Sequence, residues 1–244
     1  MRTSWRAELL KVATVRGQWV SAALVIMAIP VATFLVVTTG GLGTGQTSTS
    51  GAATGSLVGL LAIGIWSATI SAGEYAQGTM VTSLTTVPRR PVLYGAKLMA
   101  TATVAGVGGV LSAIIAFVVV LGARAPGHYS VGNPASLAAV VLAVVTVAAI
   151  GVSVGVITRS PSASIVVMVL GLLLPKAASG LLGGLQPWVV GASPGTVVSE
   201  LIGGASLPAN QTYPAGGWAA ALTMGGVGMA VVVGGAMAFS RRDG

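Results

Sequence analysis

The sequence has no cysteine and very little charge. Its 244 residues include four acidic residues, twelve basic residues and one histidine, so only 7% are charged. Without cysteine the chain can form no disulfide, no thiolate metal site and no cysteine nucleophile. One histidine and four scattered carboxylates also argue against a metal centre built from nitrogen and oxygen ligands. We therefore predict no metal site.

Apolar residues dominate instead. They make up 54% of the sequence, and the mean hydropathy is +0.93. Soluble domains carry about 25% charged residues, so this composition predicts an all-α integral membrane protein in which residues 1–244 form a single transmembrane domain. The net charge of +8 is spread over the ends of the apolar segments rather than gathered in one patch, which argues against nucleic-acid binding.

Six segments are long and apolar enough to cross a bilayer, which takes about 20 residues. They cover residues 19–39, 52–71, 98–122, 134–157, 163–185 and 218–239. With the N-terminus in the cytoplasm, nearly all basic residues fall on the inner side, as the positive-inside rule requires. The sequence thus predicts six transmembrane helices with both termini cytoplasmic, in a multi-pass protein of the cell membrane. Five basic residues are expected to anchor the inner ends of the spans at the membrane interface: Arg16, Lys97, Arg159, Arg241 and Arg242.

Two further segments are expected to lie at the membrane surface. Residues 1–18 are predicted to form a cytoplasmic interfacial helix in which Glu8 and Lys11 face the lipid headgroups, and a plain juxtamembrane extension is the alternative. Residues 186–217 are rich in proline and glycine yet apolar, which indicates re-entrant or short helices on the outer face before the last span. That outer segment contains Glu200.

Three short patterns suggest chemistry, and each has a simpler explanation. Residues 40–47 imitate a phosphate-binding loop but have Gln46 where the lysine belongs, so we expect an outer loop. Residues 151–155 spell GxSxG around Ser153 in mid-span, and the chain's one histidine, His128, is predicted in an outer loop, which leaves an intramembrane serine hydrolase as a remote alternative. Lys176, within the fifth span, either faces a transport pathway or reaches the outer interface.

The most polar stretch between two spans is residues 73–97, GEYAQGTMVTSLTTVPRRPVLYGAK. The positive-inside rule explains its basic residues, but it does not explain the Gly-Glu-Tyr, Gly-Thr and Pro-Arg-Arg units. In this order of residues the chain resembles the type-2 ABC export permeases, and in particular small six-span permeases of actinobacterial type. The likeness extends to Glu8-x-x-Lys11 before the first span, to the Thr-Arg159-Ser exit from the fourth span, to the proline-rich outer segment and to the terminal Arg-Arg-Asp.

This resemblance implies that residues 73–97 are the cytoplasmic coupling segment on which a separate ABC ATPase docks in two copies. The residues that it assigns to this contact are Glu74, Tyr75, Gly78, Thr79, Leu84, Pro88, Arg89 and Arg90. The chain itself would bind no cofactor and would not be an enzyme, because ATP and Mg²⁺ would belong to the ATPase. A second permease chain, identical or related, would complete a dimer in the lipid bilayer of a bacterial cell.

The implied function is ATP-driven export of a hydrophobic or amphiphilic substrate, such as a drug, a lipid or a peptide antibiotic. The absence of acidic residues from the spans agrees with an external energy source, because ion-driven carriers depend on intramembrane carboxylates or broken-helix ion sites. The alternative is a non-transporting membrane subunit that anchors or regulates a complex.

Overall fold

The computed structural model describes residues 2–41, 47–80, 90–123, 130–203 and 207–241. Within these ranges the chain is helical and contains no strand. The α-helices in chain order are α1 (Arg2–Thr14), α2 (Arg16–Thr38), α3 (Ser48–Ala52), α4 (Ser56–Ala76), α5 (Arg90–Ala123), α6 (Ala138–Thr158), α7 (Pro161–Ala177), α8 (Gln186–Gly191), α9 (Pro194–Ile202) and α10 (Gly217–Arg241). Short 3₁₀ turns lie at Pro134–Leu137, Ser179–Leu181 and Gly183–Leu185.

Five helical stretches are long and apolar enough to cross a membrane. They are Arg16–Thr38, Ser48–Ala76, Arg90–Ala123, Pro134–Thr158 and Gly217–Arg241. This confirms the all-helical fold, and five such helices are typical of a multi-pass membrane protein. The third stretch begins at Arg90 rather than at the predicted residue 98, because the turns from Arg90 to Lys97 continue the helix of the span.

The predicted fifth span differs most from the structure. In place of one helix over residues 163–185, α7 has 17 residues and ends at Ala177. Pro175 lies in its last turn, and the following Gly183 has a left-handed backbone with φ of 50°. Proline and glycine both disfavour continued helix, so the chain passes into two 3₁₀ turns. A helix of 17 residues is at the lower limit of what spans a hydrocarbon core.

Helix α6 forms the centre of the bundle and packs against α4, α5, α7, α9 and α10. In its most apolar 18-residue window 61% of the residues are buried, against 22% in the corresponding windows of α2 and α10. Close approach to α4 depends on two glycines. A Cβ atom on Gly151 would overlap the Ser67 hydroxyl, and one on Gly155 would overlap the carbonyl of Ala68. Small residues at such crossings let helix backbones pack closely in lipid.

Both described ends of the chain lie at the same end of the bundle. Helix α1 reaches the first turns of α5, because Glu8 contacts Lys97. Phe239, near the end of α10, packs against Tyr94 in the same turns of α5, with ring centroids 6.0 Å apart. We call this end, where Arg159 also ends α6, the charged end. The opposite end, formed by α3, α8 and α9, is the far end.

The stretch 186–217 forms the expected short helices where the structure describes it. Helix α9 begins at Pro194, a residue suited to the first turn, and ends at Gly203 with φ of 66°. Val197 and Val198 are fully buried, because α9 packs against α4, α6 and α10. Helix α9 is therefore part of the bundle at its far end rather than a separate surface helix.

Candidate functional site

Four charged side chains meet at the charged end of the bundle. The Lys97 ammonium lies 2.5 Å from Glu74 Oε1 and 3.5 Å from Glu8 Oε2. The Lys11 ammonium lies 2.7 Å from Glu8 Oε1 and 3.7 Å from Glu74 Oε1. We call Glu8, Lys11, Glu74 and Lys97 the four-charge cluster. It brings together two of the four acidic residues and two of the three lysines of the sequence, and its formal charge is zero.

Three helices supply the cluster. Glu74 lies in the last turn of α4, and Lys97 lies in the early turns of α5, on the other side of the connection through residues 77–89. Glu8 and Lys11 are three positions apart in α1, so they share one face of that helix. The cluster therefore joins α1 to both helices that flank the coupling segment predicted from the sequence.

Burial makes these contacts stronger than those of a surface ion pair. The Lys97 side chain is 5% exposed, Glu8 is 12% exposed and Glu74 is 13% exposed. Coulomb attraction is stronger at low effective dielectric, and removing one partner of a buried pair leaves an uncompensated charge. Lys97 thus contacts two carboxylates inside the bundle, and its ammonium does not reach the surface at which the sequence analysis expected an anchor.

Lys11 is the most exposed member of the cluster, at 39%. Burial lowers the pKa of Lys11, but the hydrogen bond to Glu8 and the charge of Glu74 outweigh burial and raise this pKa above its usual 10.5. Lys11 is therefore protonated at neutral pH. Glu8 and Lys11 were expected to face lipid headgroups, whereas their charged groups face α4 and α5. The reason is that Glu74 and Lys97 offer closer charge partners than the headgroups do.

The start of the predicted coupling segment is held against the bundle. The Arg159 guanidinium stacks over the Tyr75 ring, 5.1 Å from the ring centroid, which joins the end of α6 to the end of α4. Met80 is 4% exposed and packs in a cluster with Tyr94 and Phe239. Arg159 itself ends α6 in a left-handed conformation with φ of 55°. The same stretch is thus attached by charge, by ring stacking and by apolar packing.

Gly78 and Thr79 form the turn between these contacts. Gly78 has φ of 69°, a conformation that residues with a Cβ rarely adopt. The Thr79 hydroxyl donates a hydrogen bond of 3.3 Å to the Glu74 carbonyl. Arg90 is half-buried at the start of α5. The remaining residues assigned to this segment, Leu84, Pro88 and Arg89, lie outside the described residues, as does Arg242.

Two of the proposed anchors are solvent- or lipid-accessible. Arg16, at the first position of α2, and Arg241, at the last position of α10, are both exposed. Lys176 is also exposed, in the last turn of α7 at the far end, and it makes no ion pair with the described part of the chain. Of the loop that imitates a phosphate site, residues 42–46 lie outside the described residues.

Ser153 is part of a hydrogen-bonded contact between three helices. Its hydroxyl lies 2.8 Å from the Ala149 carbonyl and 2.9 Å from the Tyr94 hydroxyl. The Tyr94 hydroxyl also lies 2.9 Å from the Val232 carbonyl of α10. Each hydroxyl has one proton to donate, so two of these three contacts are hydrogen bonds at any one time. Ser153 is fully buried within helix α6 rather than placed on a strand-to-helix turn. His128, the histidine that a serine nucleophile would need, lies outside the described residues.

The sequence does not predict the contacts that Glu8, Lys11 and Tyr94 make. Two features of the sequence could have indicated the contacts of Glu8 and Lys11. The two residues are spaced i, i+3, which places them on one helix face, and an acidic residue in so apolar a chain needs a charged partner. Tyr94 gave no signal, since its partner Ser153 lies 59 positions away.

Comparison with family models and with curated proteins finds no match for this chain. The assignment of a function therefore depends on the sequence motifs and on the geometry of the four-charge cluster.

Proposed function

We propose that this chain is the membrane subunit of an ATP-driven exporter of the type-2 ABC class. In this proposal, it carries no nucleotide site and works with a separate ATPase. The observation that carries the proposal is the four-charge cluster, because it ties α1 to the two helices that enter and leave residues 77–89. A largely buried, net-neutral cluster beside residues 77–89 would connect a docking loop rigidly to the spans.

In the proposed mechanism, two copies of the ATPase bind the coupling segments of two permease chains. ATP-driven closure of the ATPases moves each segment, and the Glu74–Lys97 pair transmits the movement from α4 to α5. Arg159 on Tyr75 transmits it to α6. The spans then shift between inward-open and outward-open populations, which requires that the ATPase bind the two states with different affinity.

Chain connectivity supports six crossings with both ends in the cytoplasm. Arg159 lies at the charged end, while Gly217, at the start of α10, belongs to the far end, because α10 returns to the charged end at Phe239. The chain between them passes from the charged end to the far end, and in this proposal α7 makes that crossing. Its 17 residues span about 25 Å at 1.5 Å per residue, close to the ~30 Å core. The basic residues gathered at the charged end favour the cytoplasmic side for that end.

Cargo would pass between two permease chains, along the second and fifth spans. Apolar walls rich in alanine, valine and glycine suit a hydrophobic or amphiphilic cargo, and the ATP and Mg²⁺ would be bound by the ATPase.

The proposal is tested by affinity purification of the tagged chain from its native membrane, followed by identification of the co-purified proteins and an ATPase assay. We expect a soluble ATPase in stoichiometric amount. The reversed pair Glu74→Lys with Lys97→Glu keeps a salt bridge, whereas Glu74→Lys alone places two cations together, so the single variant should lose the ATPase and the reversed pair should retain part of it.

Lys176→Gln is the matched control, because it removes a charge at the far end and should leave the ATPase bound. A chain that purifies without any ATPase in mild detergent, with the neighbouring genes expressed, would contradict the exporter proposal. That result would favour the anchoring or regulatory subunit.

A further inference from the structure

A deep apolar cavity opens between α7 and α10 in the half of the bundle near the far end. Its volume is about 490 Å³, within the range of ligand sites in proteins. Helix α6 forms its floor through Val147, Ile150 and Val154, and the walls are residues 167–175 of α7 and 223–231 of α10. Residues 188–194, from the second half of α8 to the first residue of α9, close it on the far-end side. We call this cavity the α7–α10 slot.

The lining of the slot has few polar groups that could bind water. Among the residues that line it, Ser193 and Thr223 carry hydroxyl groups, and both hydroxyls are hydrogen-bonded within the protein. A buried water needs about two to four polar partners, and beyond these two hydroxyls the lining side chains offer one polar group, the indole N–H of Trp188. In a bilayer the neighbouring medium at this depth is hydrocarbon, so a hydrocarbon chain suits the slot better than water does.

The shape of the slot excludes a transmembrane helix of a second copy. Along α7 and α10 the lining runs over eight residue steps, about 12 Å at 1.5 Å per residue, which is less than half of a ~30 Å hydrocarbon core. A helix that crosses the whole bilayer would extend past the slot and meet Trp188 and Pro194, which line its far-end side. An acyl chain can enter such a slot from the side and end within it.

A cation follows directly after the residues of α7 that line the slot. Leu172 lines the slot, and Lys176 lies four positions later, one helical turn closer to the far end on the same face of α7. Lys176 is exposed and makes no ion pair with the described residues. A lysine at headgroup level beside an acyl-chain slot complements a negatively charged headgroup.

From this arrangement we propose that the α7–α10 slot binds an anionic phospholipid of the leaflet at the far end. One acyl chain fills the slot, and the headgroup lies against Lys176. This inference does not depend on the exporter proposal, because the slot belongs to one chain and its occupancy needs neither ATP nor a partner.

The test uses the purified chain in lipid nanodiscs, with phosphatidylglycerol or phosphatidylcholine that carries a diazirine at the end of one acyl chain. After irradiation, mass spectrometry locates the labelled peptides. We expect phosphatidylglycerol to label residues 167–175 and 223–231 about fivefold more than phosphatidylcholine does, the preference given by one lysine near the surface. In Lys176→Gln both lipids should label these peptides equally.

Gly171→Leu provides the second variant. Gly171 lines the slot and has no atom within 4 Å of an added Cβ, so a leucine at this position can extend from the helix into the space of the slot. Labelling by both lipids should fall several-fold. Gly226→Leu is the matched control, because Gly226 has equally open space but does not line the slot.

Three results would overturn the inference. One is unchanged labelling in Gly171→Leu, and another is a label spread evenly over the exposed apolar faces of α2 and α5, as bulk lipid would give. The third is equal labelling of the slot peptides by phosphatidylglycerol and phosphatidylcholine in the unsubstituted chain.

Discussion

Glu74 holds the buried ammonium of Lys97 at 2.5 Å across 23 positions of the sequence. Glu74 lies in the last turn of α4 and Lys97 lies in the early turns of α5, so their contact joins the two helices on either side of residues 77–89. Glu8 places α1 against the same lysine. Stability and coupling should both depend on this pair.

Glu74→Ala is expected to lower the free energy of unfolding by about 3–5 kcal/mol, because it removes the closest partner of a buried charge. The double variant Glu74→Ala with Lys97→Met removes both charges, and apolar replacement of a buried pair is often neutral. We therefore expect it to recover most of the loss. Thermal unfolding of the purified chain in detergent measures both. A double variant as unstable as the single one would show that the pair itself, rather than the unpaired lysine, determines stability.

The contact between Tyr94 and Ser153 gives a second prediction. Tyr94→Phe keeps the ring but removes a hydroxyl that lies within hydrogen-bond distance of the Ser153 hydroxyl and of the Val232 carbonyl, and a hydrogen bond in a membrane bundle contributes about 0.6 kcal/mol. Ser153→Ala should cost a similar amount, and the double variant should show coupling between the two sites. Neither variant should affect function beyond its effect on stability. Loss of function in a fully stable Ser153→Ala protein would favour serine chemistry instead.

Close packing of α4 on α6 gives a third prediction. Gly155→Ala places a methyl group against the Ala68 carbonyl and 2.9 Å from the Ser71 Cβ, so it should destabilise the bundle by about 1–3 kcal/mol. Gly184→Ala is the control, because its added Cβ has no neighbour within 4 Å. Its effect should stay within about 0.5 kcal/mol. Equal thermal stability of the two variants would contradict the packing described here.

The sequence was sufficient to predict the helical class and most of the long helices, because long runs of apolar residues have few alternatives in a bilayer. It placed the end of the fifth span too late, since hydropathy continues through residues 178–185 while the helix ends at Ala177, after Pro175 and before the following glycines. It placed Glu74 and Lys97 in the same segment but not in contact. The distances between side chains on three different helices depend on how those helices pack, and a local sequence pattern does not predict them.

The absence of cysteine allows a direct test of topology. Single cysteines at Ser162 and Gly180 flank most of α7, and both positions are exposed. With a membrane-impermeant maleimide on intact cells, we expect labelling at position 180 and none at position 162, and the reverse in inverted vesicles. Ser240→Cys should behave like position 162. Labelling of positions 162 and 180 from the same side would mean that α7 does not cross, and would leave five crossings.

The central claim is that the coupling segment contacts an ATPase, and site-specific photocrosslinking tests it most directly. Gln77 follows α4 directly and is exposed, so a benzophenone amino acid there can reach a docked partner. Asn210, exposed in the loop between α9 and α10, is the control position. In native membranes we predict that position 77 captures a soluble ATPase and that position 210 does not. No ATPase captured from position 77, or equal capture from both positions, would contradict the account.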